Sequence, residues 1–431
     1  MTQNTLSHNP PRGMRDFYPE DMRLRNEIFS AWHKSSEIFG FEPYDSCVVE
    51  SLDVLKRKSG EEIVEQIYTF TDKSGRELAL RPEMTPTLAR MVAARQNALS
   101  FPIKWYTIAQ CFRYERMTKG RKREHYQWNL DIIGEESTLA ETEIIATAVY
   151  ALKLLGFNSE MLRIHYNSRS LLAELLTKTG IPTEHHHATF LALDKLGKME
   201  ISEISKMLQD NGLNPNMISQ IFKLMEIKSV DDASAIVGHN SPSIAKIKEF
   251  QSYLSLYGIE DFAQFNISVI RGLSYYTGIV FECFDIKREF RAIFGGGRYD
   301  NLLSEMGGKK ACGVGMGFGD VVIGEIISTT RNNTRQINKK VSIAISYMAD
   351  NQKTDAVKLA SFYRRLEIPV DISLQPEKAR NFFSRAGNGR FTHAIYVGPD
   401  DIQKQTIRIK NLSTRAEIES PITNPEVEKL Q

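Results

Sequence analysis

The chain has 431 residues, a net charge of +2, 42% hydrophobic residues and 25% charged residues. This length supports two or three domains with substantial cores, and the composition is that of an ordinary soluble globular protein. The absence of 18 consecutive apolar residues and of an apolar leader argues against membrane spanning and secretion. Four dispersed cysteines without a CxxC pair favour a reducing cytoplasm over zinc or disulfides. Because the net charge is small, nucleic-acid binding must depend on local patches.

The N-terminal part predicts a long helix followed by a strand. Residues 1–10 are polar, and we expect them to be frayed. Apolar residues at helical spacing predict a helix over 21–39, which Gly40 ends. The stretch 41–50 predicts a strand.

A stiff loop follows a predicted hairpin whose strands span 63–70 and 77–80. The loop, residues 80–86, reads LRPEMTP, and its two prolines restrain the backbone. Glu83 and Thr85 are therefore presented in a fixed arrangement that suits an ammonium group. Alternatively, Thr85 caps a helix whose first residue is proline. Spacing alone leaves both interpretations open.

A second hairpin carries the densest set of polar and basic residues. Its first strand begins at Trp105, its second spans 125–133, and a basic loop over 117–123 joins them. Residues 125, 127, 129 and 131 are all polar and, being two apart, share one face. Arginine forks match phosphate oxygens and a glutamate can accept from an exocyclic amine, so the hairpin suits a polyanion beside a small polar molecule. The alternative is a solvated charged loop, although a buried polar row would need partners.

The middle of the chain is predicted to be mostly helical. A helix over 139–155 has an acidic first turn, which favours its dipole. Residues from about 160 to 260 also have helical patterns and contain no phosphate loop or nucleophile motif. Three adjacent histidines, 185–187, are a metal site or an exposed polar patch. We favour the patch, because adjacent residues do not share a helix face.

Three glycine-containing segments follow. Residues 271–278, RGLSYYTG, lie between strands predicted from 267 and over 279–284. Residues 294–300, FGGGRYD, permit close backbone approach to a ligand, although such a cluster is more often a tight turn. In 311–323, alternating glycines lead into an apolar helix at Asp320. We favour a capping role for Asp320 over help with Mg²⁺ or with a phosphate-binding arginine.

The last part predicts a separate α/β unit after a polar linker at 328–340. Its predicted strands and helices alternate, and no residue in it has a catalytic pattern. The strands are predicted at 341–346, 369–373, 392–397, 406–411 and 416–418, and the helices at 354–366 and 376–387.

These motifs together resemble the histidyl-tRNA synthetase family of class II aminoacyl-tRNA synthetases. Residues 112–127, FRYERMTKGRKREHYQ, resemble motif 2 of that family. Further similar segments are RGMRDFYP, LRPEMT, RGLSYY and GGRYD, the last two at the family's distance from each other. Three positions depart from the family pattern. Cys47 replaces the motif 1 proline, Ser274 replaces an aspartate, and Asp320 replaces the motif 3 arginine.

The resemblance implies an α+β fold: a class II synthetase antiparallel-sheet catalytic core with a helical insertion, plus a C-terminal α/β anticodon-binding domain. The implied domains are the core at 1–160 and 261–328, the insertion at 161–260, a linker at 329–339 and the anticodon-binding domain at 340–431.

The resemblance also implies the site. Arg113 and Arg271 are the implied catalytic residues, and no protein metal site is implied. Histidine would be bound by Glu83, Met84, Thr85, Arg113, Gln127, Asp131, Arg271, Tyr275 and Tyr276. ATP, with Mg²⁺, would be bound by Arg113, Glu115, Arg121 and His125.

The expected partners are L-histidine, ATP and tRNA(His), in a cytoplasmic homodimer. The alternative is a catalytically inactive relative, the regulatory subunit of ATP phosphoribosyltransferase, which shares the core fold. That subunit usually lacks the C-terminal domain and the arginine at position 271, both of which this chain retains. A tRNA-binding protein without activity is a third interpretation, and it rests only on Cys47 and Asp320.

Overall fold

The computed structural model describes residues 7–57, 64–118, 120–197, 199–271, 275–330 and 341–430, with only the backbone of 429 and 430. These residues form two compact units, 1–330 and 331–431. Within the described residues, no helix is long and apolar enough to cross a membrane. The four cysteines are free.

The first unit contains a large sheet of eight strands, a small sheet of three strands and helices around them. Its strands are β1 (Glu42–Pro43), β2 (Val49–Ser51), β3 (Thr69–Thr71), β4 (Glu77–Leu80), β5 (Ile103–Phe112), β6 (Glu124–Ile133), β7 (Leu162–Ser168), β8 (Ala263–Phe265), β9 (Ile279–Asp285), β10 (Phe294–Tyr299) and β11 (Gly313–Gly319). Its described helices are Pro19–Ile38, Leu52–Lys56, Thr85–Arg95, Leu139–Leu154, Arg169–Lys178, His186–Leu193, Ile201–Asp210, Pro215–Leu224, Val230–Val237, Pro242–Leu256, Leu302–Glu305 and Asp320–Thr330.

The large sheet has the order β1-β5-β6-β11-β10-β9-β7-β8. Its central pairs are antiparallel, and only the outer pairs β1–β5 and β7–β8 are parallel. This is the antiparallel core that the resemblance implied. The register of β6 and β11 sets Asp131 opposite Gly315 and Gln127 opposite Gly319.

The two faces of β6 differ as the period of two predicted. Trp128, Leu130 and Ile132 are buried in the main hydrophobic core, together with residues of the helices Pro19–Ile38 and Leu139–Leu154. The indole rings of Trp32 and Trp128 stack at 5.8 Å. Because helices cover this face, the polar row of β6 is left on the opposite face of the sheet.

Three predicted strands were wrong in their extent. The strand predicted over 63–70 is β3, which covers only Thr69–Thr71. The stretch 41–50 is not one strand: β1 pairs with β5 in the large sheet, whereas β2 pairs with β4 in the small one. The strand predicted from residue 267 does not form there, because the nearest strand, β8, ends at Phe265.

The segment 161–260 begins with a strand rather than a helix. Its first residues form β7, which pairs with β9 inside the large sheet. The remainder is helical, and its buried residues Leu208, Ile221 and Phe250 join the same core as the sheet. The division into a core and an insertion stays a prediction.

The three histidines at 185–187 do not form the exposed patch that we predicted. His186 is buried, and its Nε2 lies 3.1 Å from the carbonyl oxygen of Ile181. Its ring thus serves the local packing of the helix His186–Leu193.

The second unit is an α/β domain, as the alternation of elements predicted. Its sheet has the order β13-β12-β14-β15-β16, with β12 parallel to both neighbours and the last two pairs antiparallel. Residues 331–340, most of the predicted linker, lie outside the described residues. The strands are β12 (Ile343–Tyr347), β13 (Val370–Ile372), β14 (His393–Val397), β15 (Thr406–Asn411) and β16 (Glu417–Pro421), and the α-helices are Lys353–Arg365, Ala379–Ala386 and Pro399–Lys404.

Candidate active site

A cavity of about 760 Å³ lies on the polar face of the large sheet. Its walls come from β6, β9, β10, β11, the loop after β4 and the basic loop between β5 and β6. Ten of the predicted site residues line it: Glu83, Thr85, Arg113, Glu115, Arg121, His125, Gln127, Arg271, Tyr275 and Tyr276.

Two predicted residues do not line the cavity. Met84 is fully buried and packs with Ala109 and Cys111, so its side chain supports the loop from below. Asp131 is 1% exposed and lies beneath the cavity floor. Its Oδ1 accepts a hydrogen bond of 2.7 Å from the hydroxyl of Tyr299, which itself lines the cavity.

Asp131 is a carboxylate with an unused oxygen. Its Oδ2 is buried and has no hydrogen-bond partner among the described residues. Burial raises the pKa of Asp131 to about 7, although the Tyr299 hydroxyl opposes this rise. Such a carboxyl can accept from a polar ligand group, and a buried polar atom of this kind calls for a partner.

The polar row on β6 forms a hydrogen-bonded chain. Nε2 of His125 lies 3.2 Å from Oε1 of Gln127, and Nε2 of Gln127 donates to Oδ1 of Asn129 at 2.9 Å. Burial, with a smaller effect of nearby Arg113, lowers the pKa of His125 to about 3. The imidazole is therefore neutral at pH 7, which suits stacking on an uncharged ring.

Glu83 and Thr85 stand together at one wall. Thr85 is the first residue of the helix Thr85–Arg95, and it makes no side-chain capping bond there because the cap position is Met84. The alternative capping role for Thr85 is therefore wrong. Its hydroxyl interacts instead with Tyr275, whose ring lies 4.9 Å from that of Tyr276. Burial raises the pKa of Tyr275 well above its usual value, so the phenol stays protonated.

Arg271 reaches the cavity from a strained backbone position, with φ at +56°. Its Nη1 donates to Oε1 of Glu282 at 3.0 Å. Its Nε is buried without a hydrogen-bond partner in the described residues. Glu282 was not predicted as a site residue. The available signal was one acidic residue inside the otherwise apolar run 279–284 of β9.

Glycines in β10 and β11 make room for these side chains. A Cβ on Gly297 would lie 2.9 Å from the ring of Tyr276. On Gly315 it would lie 2.3 Å from Oδ1 of Asp131, and on Gly317 2.8 Å from Nε2 of Gln127. The glycine-rich stretch at 294–300 is therefore a strand rather than a turn, and its glycines clear space above the cavity floor.

Two basic residues near the loop already have partners within the protein. Nε of Arg113 donates to the carbonyl of Pro82 at 2.9 Å. Nε of Arg121 lies 2.9 Å from Oε2 of Glu115. The roles implied for Arg121 and Glu115 in ATP binding would thus require this pair to separate.

Asp320 does not act as the cap that we favoured. Its Oδ1 accepts the backbone N–H of Tyr126 at 2.9 Å, and its Oδ2 pairs with Arg15 at 3.0 Å. Nε of Arg15 also contacts Glu124 at 2.6 Å. Burial raises the pKa of Asp320, and Arg15 opposes that rise. Asp320 therefore ties the N-terminal segment to β6.

Arg298 in the GGRYD segment is structural. Its Nε and Nη2 each donate to Glu141 at 2.7 Å, and both side chains are buried. Consecutive residues of a strand point to opposite faces, so Arg298 turns away from the cavity while Tyr299 lines it.

Asn129 and Arg291 also line the cavity without having been assigned a role. Asn129 belonged to the predicted row, whereas no pattern marked Arg291.

The side chains present indicate how a metal ion could be bound. The described residues contain no group of three or more His, Cys, Asp or Glu side chains placed to hold a metal ion. Mg²⁺ usually keeps several waters and binds through one or two carboxylates plus substrate phosphates. The residues therefore suit Mg²⁺ that arrives with ATP.

Comparisons with known proteins agree with this architecture. A model of the family described as histidyl-tRNA synthetase matches residues 13–319. The histidine–tRNA ligase, chloroplastic/mitochondrial, of Arabidopsis thaliana is 39% identical over 418 residues, covering 97% of this chain and 86% of that protein.

Two solved structures share the fold. Histidyl-tRNA synthetase from Nostoc sp. PCC 7120 superposes with a TM-score of 0.79 at 23% identity, covering 96% of this chain and 97% of that one. A Bacillus halodurans protein described as an ATP phosphoribosyltransferase regulatory subunit/histidyl-tRNA synthetase gives 0.74 at 20% identity, covering 91% and 99%. The antiparallel sheet with its cationic cavity has the fold of the class II aminoacyl-tRNA synthetases. Within that class, the family match over most of the first unit is decisive: the chain belongs to the histidyl-tRNA synthetase family.

Proposed function

We propose that this protein ligates L-histidine to tRNA(His) in two steps driven by ATP. The observation that supports this most directly is one cavity that combines Arg113 and Arg271 with Glu83, Thr85 and the row on β6. Groups that can bind anions and groups that can bind an ammonium group thus line the same cavity.

In the first step, a carboxylate oxygen of histidine attacks the α-phosphorus of ATP. A new P–O bond forms as the bond to pyrophosphate breaks, which gives histidyl-adenylate. Two anions approach each other in this step, so cations must stabilise the crowded phosphate. Arg113 and Arg271 supply them, and Glu282 orients Arg271 through their 3.0 Å contact.

Histidine is held at both ends. Glu83, Thr85 and Gln127 receive the ammonium group. Asp131 and Tyr276 read the imidazole, with Tyr275 beside them, and the buried Met84 keeps the loop in place. The free Oδ2 of Asp131 supports this role, because an imidazole N–H would satisfy it. An apolar amino acid would leave that oxygen unpaired and would be rejected strongly.

ATP occupies the remainder of the cavity. Glu115 accepts from the adenine amine, neutral His125 stacks on the base, and Arg121 reaches the outer phosphates. When bound with ATP, Mg²⁺ would supply positive charge to the phosphate oxygens. The Arg121–Glu115 pair opens when both groups turn to the nucleotide.

In the second step, a terminal ribose hydroxyl of the tRNA attacks the carbonyl carbon of the adenylate and AMP leaves. The basic loop, the helical region and the second unit would meet the tRNA.

We also propose a homodimer and a cytoplasmic location, with the free cysteines as support for a reducing compartment. Light scattering after gel filtration would test the dimer, because a monomer mass would contradict it.

The deciding experiment is ATP–pyrophosphate exchange with each of the twenty amino acids. Exchange with histidine alone, lost in Arg271→Ala, would support the ligase. Histidine binding without exchange in the folded wild-type protein would favour the alternative, a regulatory relative without catalysis.

A further inference from the structure

Among the described residues, the cavity contains two basic side chains without an ion pair, Lys122 in the basic loop and Arg291, and Arg291 is the one such arginine. Its basic side chains are Arg113, Arg121, Lys122, Arg271 and Arg291. Arg113 is tied to a carbonyl, and Arg121 and Arg271 each pair with a glutamate. Across the described part of the chain, Arg291 has no ion pair, and its side chain is exposed.

Arg291 faces the same loop that carries Arg121. It lies in the turn between β9 and β10, and a Cβ on Gly120 would be 3.7 Å from its Cδ. Burial lowers the pKa of Arg291, the positive charge of Arg121 lowers it further, and Glu115 opposes both effects. Two guanidinium groups that repel each other across a cavity favour a polyanion between them.

The neighbouring helix start does not supply a cation to this region. Gly319, Val321 and Val322 line the cavity, but Asp320 between them is committed to Arg15 and Tyr126. The outer phosphates must therefore find positive charge on the loops that flank the sheet.

We propose that Arg291 binds the outer phosphates of ATP together with Arg121, so that two loops hold the pyrophosphate leaving group from two sides. This rests on the proposed function, because it takes ATP as the ligand. Charge-assisted hydrogen bonds from guanidinium groups to phosphate are among the strong polar contacts in proteins. Arg291 would also stabilise the charge that develops on pyrophosphate during the first step.

The test is to compare Arg291→Gln with Arg288→Gln in the full chain. Arg288 lies in the same turn and lines a neighbouring pocket rather than the cavity, and its guanidinium stacks on the ring of Phe284 at 3.7 Å. Dissociation constants for ATP with Mg²⁺ and for AMP would be measured by calorimetry. We expect Arg291→Gln to weaken ATP about 10- to 100-fold and AMP about twofold or less. Arg288→Gln should leave both unchanged.

Equal weakening of ATP and AMP, or no weakening of either, would overturn the inference. Because this readout is binding, it is separate from the ligase assay. If the wild-type protein catalyses pyrophosphate exchange but the Arg291→Gln variant binds ATP normally, only this inference is contradicted. If Arg291→Gln weakens the binding of ATP but not of AMP, and the wild-type protein shows no pyrophosphate exchange, only the proposed function is contradicted. Thermal unfolding of both variants should match the wild type, which confirms that the changes are local.

Discussion

Nη1 of Arg271 lies 1.5 Å from the point where a Cβ on Gly295 would stand. The guanidinium therefore occupies the space that the missing side chain leaves. Arg271 comes from a loop and Gly295 from β10, so the fit is a property of the folded sheet. It explains why a glycine within a strand, normally unfavourable, is useful here.

Gly295→Ala should disable catalysis without unfolding the protein. The new methyl group would displace Arg271 by an ångström or more, and a misplacement of that size can cost about 100-fold in rate. We expect kcat/KM for histidine in pyrophosphate exchange to fall by about that factor. Gly324→Ala is the matched control, because its Cβ would meet only Ile28 at 3.9 Å. Similar activity in the two variants would contradict the role of Gly295.

Arg15→Ala should destabilise the first unit. Glu124 and Asp320, with side chains 2% and 5% exposed, would lose the cation that pairs with both. Breaking a buried ion pair by removing one partner typically costs about 3–5 kcal/mol in the free energy of unfolding. Denaturant unfolding followed by tryptophan fluorescence would measure it, since all three tryptophans precede residue 130.

The control for Arg15→Ala is Arg76→Ala. Arg76 pairs with Asp72 at 2.6 Å on the surface, where its own side chain is 72% exposed. Exposed pairs of this kind contribute little to stability, so the loss should be much smaller than for Arg15→Ala. If both variants lost the same small amount, the buried network would not be a stabilising tie.

Asp131→Asn should change how stability depends on pH. The folded pKa of about 7 exceeds the usual 3.8, so the folded state keeps a proton that the unfolded chain releases. This group therefore contributes its full stability at low pH and loses it as pH rises from about 4 to about 7. The free energy of unfolding of the wild type, relative to the asparagine variant, should fall by up to about 4 kcal/mol across that range. A difference that stays constant from pH 4.5 to 8.5 would contradict the shifted pKa.

Lys122→Ala should affect tRNA more than ATP. Lys122 is an exposed residue of the basic loop at the cavity edge. If it contacts a phosphate of the tRNA, its loss should raise the KM for tRNA and reduce the salt dependence by about one unit in the log–log slope. Lys73→Ala, in the exposed turn between β3 and β4, should change neither quantity. Equal increases in the KM values for tRNA and ATP would refute the assignment.

Much of the cavity could be predicted from local patterns. The period of two on β6 predicted its polar row, and the stiff loop after β4 offered the joint placement of Glu83 and Thr85 as one of two open interpretations. These predictions succeeded because they depend on backbone geometry within one element. The α/β alternation of the second unit succeeded for the same reason, although the short helix Pro399–Lys404 was missed.

Other features depended on contacts between distant segments. The stretch 41–50 divides between two sheets because β1 and β2 find different partners. Asp320 looked like a helix cap, but Arg15, more than 300 positions earlier, takes its carboxylate. Arg291 carried no sequence signal, since its position opposite Gly120 follows from the order of the strands.

The sequence by itself determined which elements form, which face of β6 is polar and which family the motifs resemble, because these follow from short-range periodicity and motif spacing. Only the tertiary structure decided which charges pair and which side chains the glycines admit. Strand order and register bring residues from far apart within a few ångströms, and only at those distances do burial and charge acquire their energies.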